Sequence, residues 1–166
     1  MPRWRWLKGR WRIWLKANTS LGKWQLKLKR LRRDMARILI VEDDPLISRM
    51  YQAVFKFEEF EVDMARNGEE GLEKVRKFRP TLVLLDIMMP KLNGLDVLEE
   101  MKSDPKLKKI PVVVLTNLSG MKDAETALEL GAVKYIVKTQ NKPKAVVRQV
   151  KEILAGYTRG EVPKAA

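Results

Sequence analysis

The chain of 166 residues contains no cysteine and no histidine. Without cysteine there is neither a disulfide framework nor a thiolate metal site. Without histidine the usual general base and the commonest metal ligand are both gone. Chemistry must therefore rest on carboxylates, hydroxyls, lysines and backbone groups. Long apolar runs are missing too, so no stretch reads as a membrane span or the core of a signal peptide. No internal repeat is visible. The length fits one domain with room for a core.

Charge is plentiful and unevenly placed. The formal net charge is +13, from 34 Lys and Arg against 21 Asp and Glu. Residues 1–34 hold 12 of the basic residues, one acidic residue (Asp34) and all five Trp. The rest of the chain holds 22 basic and 20 acidic residues and is nearly neutral. Two compositions thus meet near Met35. The expected division is a basic, Trp-rich leader over 1–34, a domain over 35–157 and a tail over 158–166.

From Ala36 onward, apolar runs suited to buried parallel strands alternate with helical periods. The runs are "ILIV" (38–41), "LVLL" (82–85), "VVVL" (112–115) and "YIV" (135–137), with "FEVDMA" (60–65) as a weaker strand. The first helix should follow Asp44 and Pro45, a cap and a first-turn residue, with Leu46, Met50, Ala53 and Phe57 on its apolar face. Asn67 can cap a second helix carrying Leu72 and Val75, and Leu95, Leu98 and Met101 mark a third. Ser119 can cap a fourth carrying Ala124, Ala127 and Leu128 and ending at Gly131. Val146, Val150 and Ile153 mark a fifth after Pro143. Five strand–helix units in succession imply an α/β fold, a parallel sheet covered on both faces.

Ligands of such sheets bind beyond the carboxyl ends of the strands. Those ends carry Glu42 and Asp43, Asp86, Thr116 and Lys138. Each has an ordinary reading alone: a helix cap, a turn residue, a solvated charge. Their coincidence at four strand ends favours one shared site. Three carboxylates gathered there repel unless a cation joins them. A hard divalent ion held by oxygen, Mg²⁺ first, fits that need, with the Lys138 ammonium assisting.

The segments "ILIVEDD", "LVLLDIMMPKLNG", "VVVLTN" and "GAVKYIVK" resemble the receiver domain of two-component response regulators, over about residues 36 to 155. The resemblance implies a flavodoxin-like, doubly wound (βα)5 fold with strand order 2-1-3-4-5. It implies that Asp86 accepts a phosphoryl group from a histidine kinase or a phosphotransfer protein, which brings the histidine this chain lacks. Glu42, Asp43, Asp86 and the backbone carbonyl of Met88 would hold Mg²⁺. Lys138 would pair with the phosphoryl oxygens, Thr116 would swing to the aspartyl phosphate, and Tyr135 would change rotamer with it. The expected protein is a phosphoacceptor switch rather than an enzyme, a cytoplasmic stand-alone receiver. Its output would be a protein surface around the fourth helix, fifth strand and fifth helix, with a phosphorylation-dependent homodimer as one form.

Some positions depart from the family pattern. Thr139 follows Lys138 where many receivers have proline, which makes a cis bond there unexpected. Asn117 is larger than the small residue preferred after the switch threonine. Met88 and Leu118 are apolar where a polar side chain would orient an attacking water, so slow loss of the phosphoryl group is expected.

The leader keeps several readings. Trp4, Leu7, Trp11 and Trp14, then Leu21, Trp24, Leu28 and Leu31, give an apolar stripe among basic residues, interrupted by Gly9 and Gly22. As a helix it would lie on an anionic membrane or touch nucleic-acid phosphates. Alternatively, "MARILIVEDD" from Met35 reads as a receiver opening, and "RRD" before it suits a purine-rich ribosome-binding run, the mark of a misassigned start. The rival functions are an adaptor dominated by the basic arm, a phosphohydrolase and a dinucleotide or flavin binder. Met88 stands where that hydrolase class has a second Asp, and no G-x-G-x-x-G follows the first strand.

Overall fold

The computed structural model describes residues 35–158. The leader over 1–34, with its stripe of Trp and Leu, and the residues after 158 lie outside the described part. Five strands, β1 (Arg37–Val41), β2 (Glu61–Ala65), β3 (Leu82–Leu85), β4 (Val112–Thr116) and β5 (Lys134–Val137), alternate with α1 (Pro45–Phe57), α2 (Gly68–Phe78), α3 (Gly94–Ser103), α4 (Met121–Glu129) and α5 (Pro143–Thr158). All neighbouring strands are parallel, in the order β2-β1-β3-β4-β5. This is the doubly wound order expected from the sequence.

Alternation along the strands divides the core. Leu39, Val41, Val83, Leu85, Val112 and Val114 face one cluster with α2, α3 and α4, through Leu72, Val75, Val97, Leu98, Met101 and Ala127. Their sequence neighbours Ile38, Ile40, Leu82, Leu84, Val113 and Leu115 face the other, with Tyr51 and Phe55 of α1 and Val146, Val150 and Ile153 of α5. Because successive side chains point to opposite faces, four-residue apolar runs supply both clusters at once. The chain moves outward from β1 to β2 and then returns to place β3 on the other side of β1. The crevice between β1 and β3 is therefore the switch point where such sheets bind ligands.

Caps agree with the sequence at α1 and α2, and α3 has one that the sequence reading did not name. Asp44 accepts from Leu46 N (2.8 Å) and Ile47 N (3.1 Å), Asn67 from Glu70 N (3.0 Å), and Asn93 from Leu95 N (2.7 Å) and Asp96 N (3.1 Å). The fourth differs: Gly120, not Ser119, occupies the cap of α4 and makes no side-chain bond there. Gly131 follows that helix at φ 98°, as a terminating glycine should.

The larger correction concerns α1. The apolar face read from the sequence is the outward one: Leu46, Met50 and Phe57 are 75%, 41% and 83% exposed, and Ala53 is exposed with them. The buried face is Ser48, Tyr51 and Phe55. Both faces carry apolar residues at helical spacing, and the outward one was the easier to see. It won in the sequence because Ser48 and Tyr51 look polar.

Tyr51 is buried, and burial first, then the nearby Glu42 charge, push its phenol up to about 12 from 10.0. The fold thus keeps the Tyr51 proton longer than the unfolded chain does. Its stabilising contribution is complete below pH 10 and is lost as pH rises toward 12, by about 1.4 kcal/mol per pH unit. Urea unfolding across that range should show the Tyr51→Phe variant falling less steeply than the parent. Equal slopes would remove Tyr51 as the cause.

Candidate functional site

The ends of β1, β3 and β5 meet at the β1/β3 crevice, and β4 ends beside them between β3 and β5. Glu42 follows β1 and Asp86 follows β3, both buried, while Asp43 beside Glu42 is exposed. One oxygen from each of these carboxylates lies within 4.8 Å of the other two. Thr116, the last residue of β4, is fully buried. Lys138 opens a short 3₁₀ turn, Lys138–Gln140, directly after β5. Its side chain is only 7% exposed, and its ammonium bonds Asp86 Oδ2 at 2.5 Å and also Glu42 Oε2.

The other oxygen of each buried carboxylate accepts from backbone. Asp86 Oδ1 accepts from Met88 N at 3.2 Å, and Glu42 Oε1 from Asp44 N at 3.3 Å. Asp86 is thus held by a lysine on one oxygen and by its own loop on the other. Burial drives the Glu42 carboxyl above its ordinary range; Lys138 pulls it back and the Asp86 charge adds to the rise. Buried carboxylates at this spacing carry more negative charge than one ammonium neutralises. An all-oxygen, carboxylate-rich donor set of this kind suits a hard divalent cation.

Thr116 Oγ1 accepts from Leu118 N at 3.4 Å, and the Tyr135 hydroxyl donates to Leu118 O at 3.0 Å. The loop after β4 is therefore gripped from inside by the threonine and from β5 by the tyrosine. Asn117 and Thr139 are exposed, Leu118 is half-buried, and the Met88 side chain is exposed. None of these four puts a charged group beside Asp86. The bond after Lys138 is trans, since the described residues contain no cis peptide.

Sequence reasoning misplaced one feature of this region and missed another. It found the apolar stripe on α1, which begins at Leu46, four residues after Glu42, but not that the stripe faces outward. The other is a hydrogen-bonded closure of the β5–α5 turn. Asn141 Nδ2 donates to Val137 O at 3.1 Å, and Gln149 Nε2 donates to Asn141 Oδ1 at 3.2 Å. An Asn three residues after the strand-end lysine was the available signal, because Asn side chains readily bond nearby backbone in turns.

Comparison with known proteins places these observations in company. Residues 38–150 match the model of the response regulator receiver domain. The DNA-binding response regulator MtrA of Mycolicibacterium smegmatis is 39% identical over 115 residues, covering 69% of this chain and 49% of its own. The chain spans about half the length of the curated relatives it matches. A CheY-like receiver domain protein from Methanospirillum hungatei superposes with a TM-score of 0.72 at 28% identity, covering 76% of this chain and 99% of that one. The Mn²⁺-bound form of response regulator Rcp1 gives 0.62 at 34% identity, over 74% and 94%.

Proposed function

Because the chain belongs to the response regulator receiver domain family, we propose that it is a phosphorylation-controlled signalling switch. Asp86 takes the phosphoryl group. The observation that carries this reading is the buried Asp86 held between Lys138 and its own loop, beside two further carboxylates. Receivers of this family take phosphoryl groups from histidine kinases, and the same donor class serves here. It is a phosphoacceptor that assists its own phosphorylation rather than an enzyme acting on a second substrate, and it works in the cytoplasm.

Each part has a distinct task. Asp86 supplies the attacking carboxylate oxygen. Glu42, Asp43, Asp86 and the Met88 carbonyl would hold Mg²⁺, which neutralises charge building on the transferred group. The Mn²⁺-bound Rcp1 structure supports a divalent ion in a receiver of similar fold. Lys138 keeps an ammonium at the Asp86 oxygen, where phosphoryl oxygens arrive. Transfer of this kind needs positioning and charge neutralisation more than covalent help. Thr116 and Tyr135 share Leu118 as a partner, so a Thr116 hydroxyl drawn to the phosphoryl group would release Leu118 N and shift the loop that Tyr135 holds. The signal would then emerge at α4, β5 and α5, on a separate partner protein or in a homodimer. A DNA-binding module acting with the receiver is the second reading, favoured by the identity to MtrA.

The test is an intact-mass measurement after acetyl phosphate with and without Mg²⁺. A gain of one phosphoryl mass that requires the metal supports the reading. The same mass with or without Mg²⁺ removes the role given to the acidic cluster. Met88 and Leu118 offer no polar side chain to orient water, so the phosphoryl mass should persist for many minutes. A half-life of seconds would count against their placement as modulators.

The stripe on α1 supplies docking ground for a phosphodonor protein. Leu46, Met50, Ala53 and Phe57 point away from the core along the full helix, starting beside the acidic pocket, and Arg49 and Lys56 are exposed near them. Met88 adds exposed apolar surface in the loop after Asp86. A donor helix with an apolar ridge and acidic flanks would seat there and reach Asp86. A Met50→Asp variant should lose roughly tenfold or more in transfer from a protein donor, with acetyl phosphate transfer unchanged. Equal loss with both donors would place the damage in the pocket instead.

A further inference from the structure

Lys138 has a long, four-carbon stem, yet its ammonium must sit on one oxygen of Asp86. The residues that follow give that stem little support, because Thr139 and Gln140 are both exposed. β5 is moreover an edge strand, paired only with β4. Its last carbonyl, that of Val137, is bonded by the Asn141 amide instead of by a strand. That carbonyl belongs to the peptide unit leading directly into Lys138.

The bond to Val137 is the first link of a chain. Asn141 N also donates to Lys138 O at 3.3 Å, closing the 3₁₀ turn from the backbone. The Asn141 side-chain oxygen is taken up by Gln149 Nε2 on α5. Gln149 in turn lies two residues after Val147 and one before Val150, both buried against the sheet. The Asn141 amide therefore uses its donor toward the lysine's strand and its acceptor toward a helix locked in the core. We propose that Asn141 and Gln149 are positioning residues for phosphoryl transfer: they fix the turn so that the Lys138 ammonium stays on Asp86. The inference rests on the phosphoacceptor reading of Asp86 and adds to it how this chain holds its lysine.

The physical demand is sharp. A misplacement of about 1 Å in a group that neutralises developing charge costs on the order of a hundredfold in rate. A partial loosening of the turn costs less, so a tenfold effect is the scale expected. The two side chains act in series, so removing both should cost no more than removing Asn141 alone.

The experiment uses the full chain with acetyl phosphate as the probe, following phosphoryl mass against donor concentration. Asn141→Ala and Asn141→Asp should each lower the maximal rate about tenfold; the aspartate still accepts from Gln149 but cannot donate to Val137 O. Gln149→Leu should lower it by a few-fold, and the double variant Asn141→Ala with Gln149→Leu should match Asn141→Ala. Donor concentration at half-maximal rate and Mg²⁺ affinity by calorimetry should stay at parent values. A merely structural role would move those with the rate. Parent rates in Asn141→Ala, or additive losses in the double variant, overturn the inference. Should Asn141→Ala fail to fold, Gln149→Leu and Asn141→Asp carry the same comparison. A parent chain that gains no phosphoryl mass at all would instead fail the reading of Asp86, which keeps the two failures apart.

Discussion

Asp86→Asn should fold and gain no phosphoryl mass under conditions that label the parent chain. The loss should be at least about a hundredfold, because a carboxamide oxygen lacks the charge and basicity of the carboxylate nucleophile. The fold should survive because the pocket holds an excess of negative charge. Asp86 helps to push the Glu42 carboxyl upward, so neutralising it relieves Glu42 while Lys138 keeps Glu42 as a partner. Removing the cation gives the opposite result. Lys138→Ala leaves two buried carboxylates facing each other with no ammonium, which should cost about 3 kcal/mol or more. The pair of variants separates chemistry from scaffold: one abolishes transfer with little change in unfolding midpoint, and the other lowers both. Residual labelling of Asp86→Asn at parental rate would mean that another carboxylate, Asp43 being the exposed one, is the acceptor.

β1, β3, β4 and β5 were legible because each carries a short apolar run, and a sheet covered on both faces buries such runs; β2, with Glu61 and Asp63 in it, was fainter. Their polar ends were legible for the same reason: Glu42, Asp86, Thr116 and Lys138 interrupt the runs where a strand must stop. The switch-point geometry then brings them together without further instruction from local sequence. The reading of α1 failed because periodicity does not say which of two apolar faces is inside. Phe55 and Tyr51 are larger than Leu46 and Met50 and bury more surface, and Ser48 is small enough to be buried with them. In the Asn141–Gln149 closure the Asn of the turn was signalled by its place after the strand-end lysine, but its link to Gln149 was illegible. It depends on the distance between a turn and the second turn of α5, which no spacing rule contains.

Gly94→Ala should be among the most damaging single-methyl changes in the domain. Gly94 stands at the first position of α3, where alanine would ordinarily stabilise a helix by up to about 1 kcal/mol. Here a Cβ would come within 2.0 Å of the Asp86 carbonyl oxygen and 2.8 Å of Ile87 Cα. Both obstacles are backbone, and both belong to the loop that carries Asp86. The loop cannot move away freely, because Gly94 N donates to Ile87 O at 3.0 Å and Asp86 N to Val41 O at 3.0 Å. The expected cost is about 3 kcal/mol or more, above the usual range for overpacking because no side chain can rotate aside. Gly120→Ala is the matched control. Its added Cβ meets only the Asp123 carboxylate within 3.0 Å, the far end of a side chain that can turn away. That change should alter stability by less than about 1 kcal/mol. Urea unfolding of the two variants beside the parent decides it. If Gly94→Ala unfolds with the parent, the close approach of α3 to the Asp86 loop is not what fixes the loop. If it is destabilised and also labels slowly, the same contact holds the fold together and aims the carboxylate.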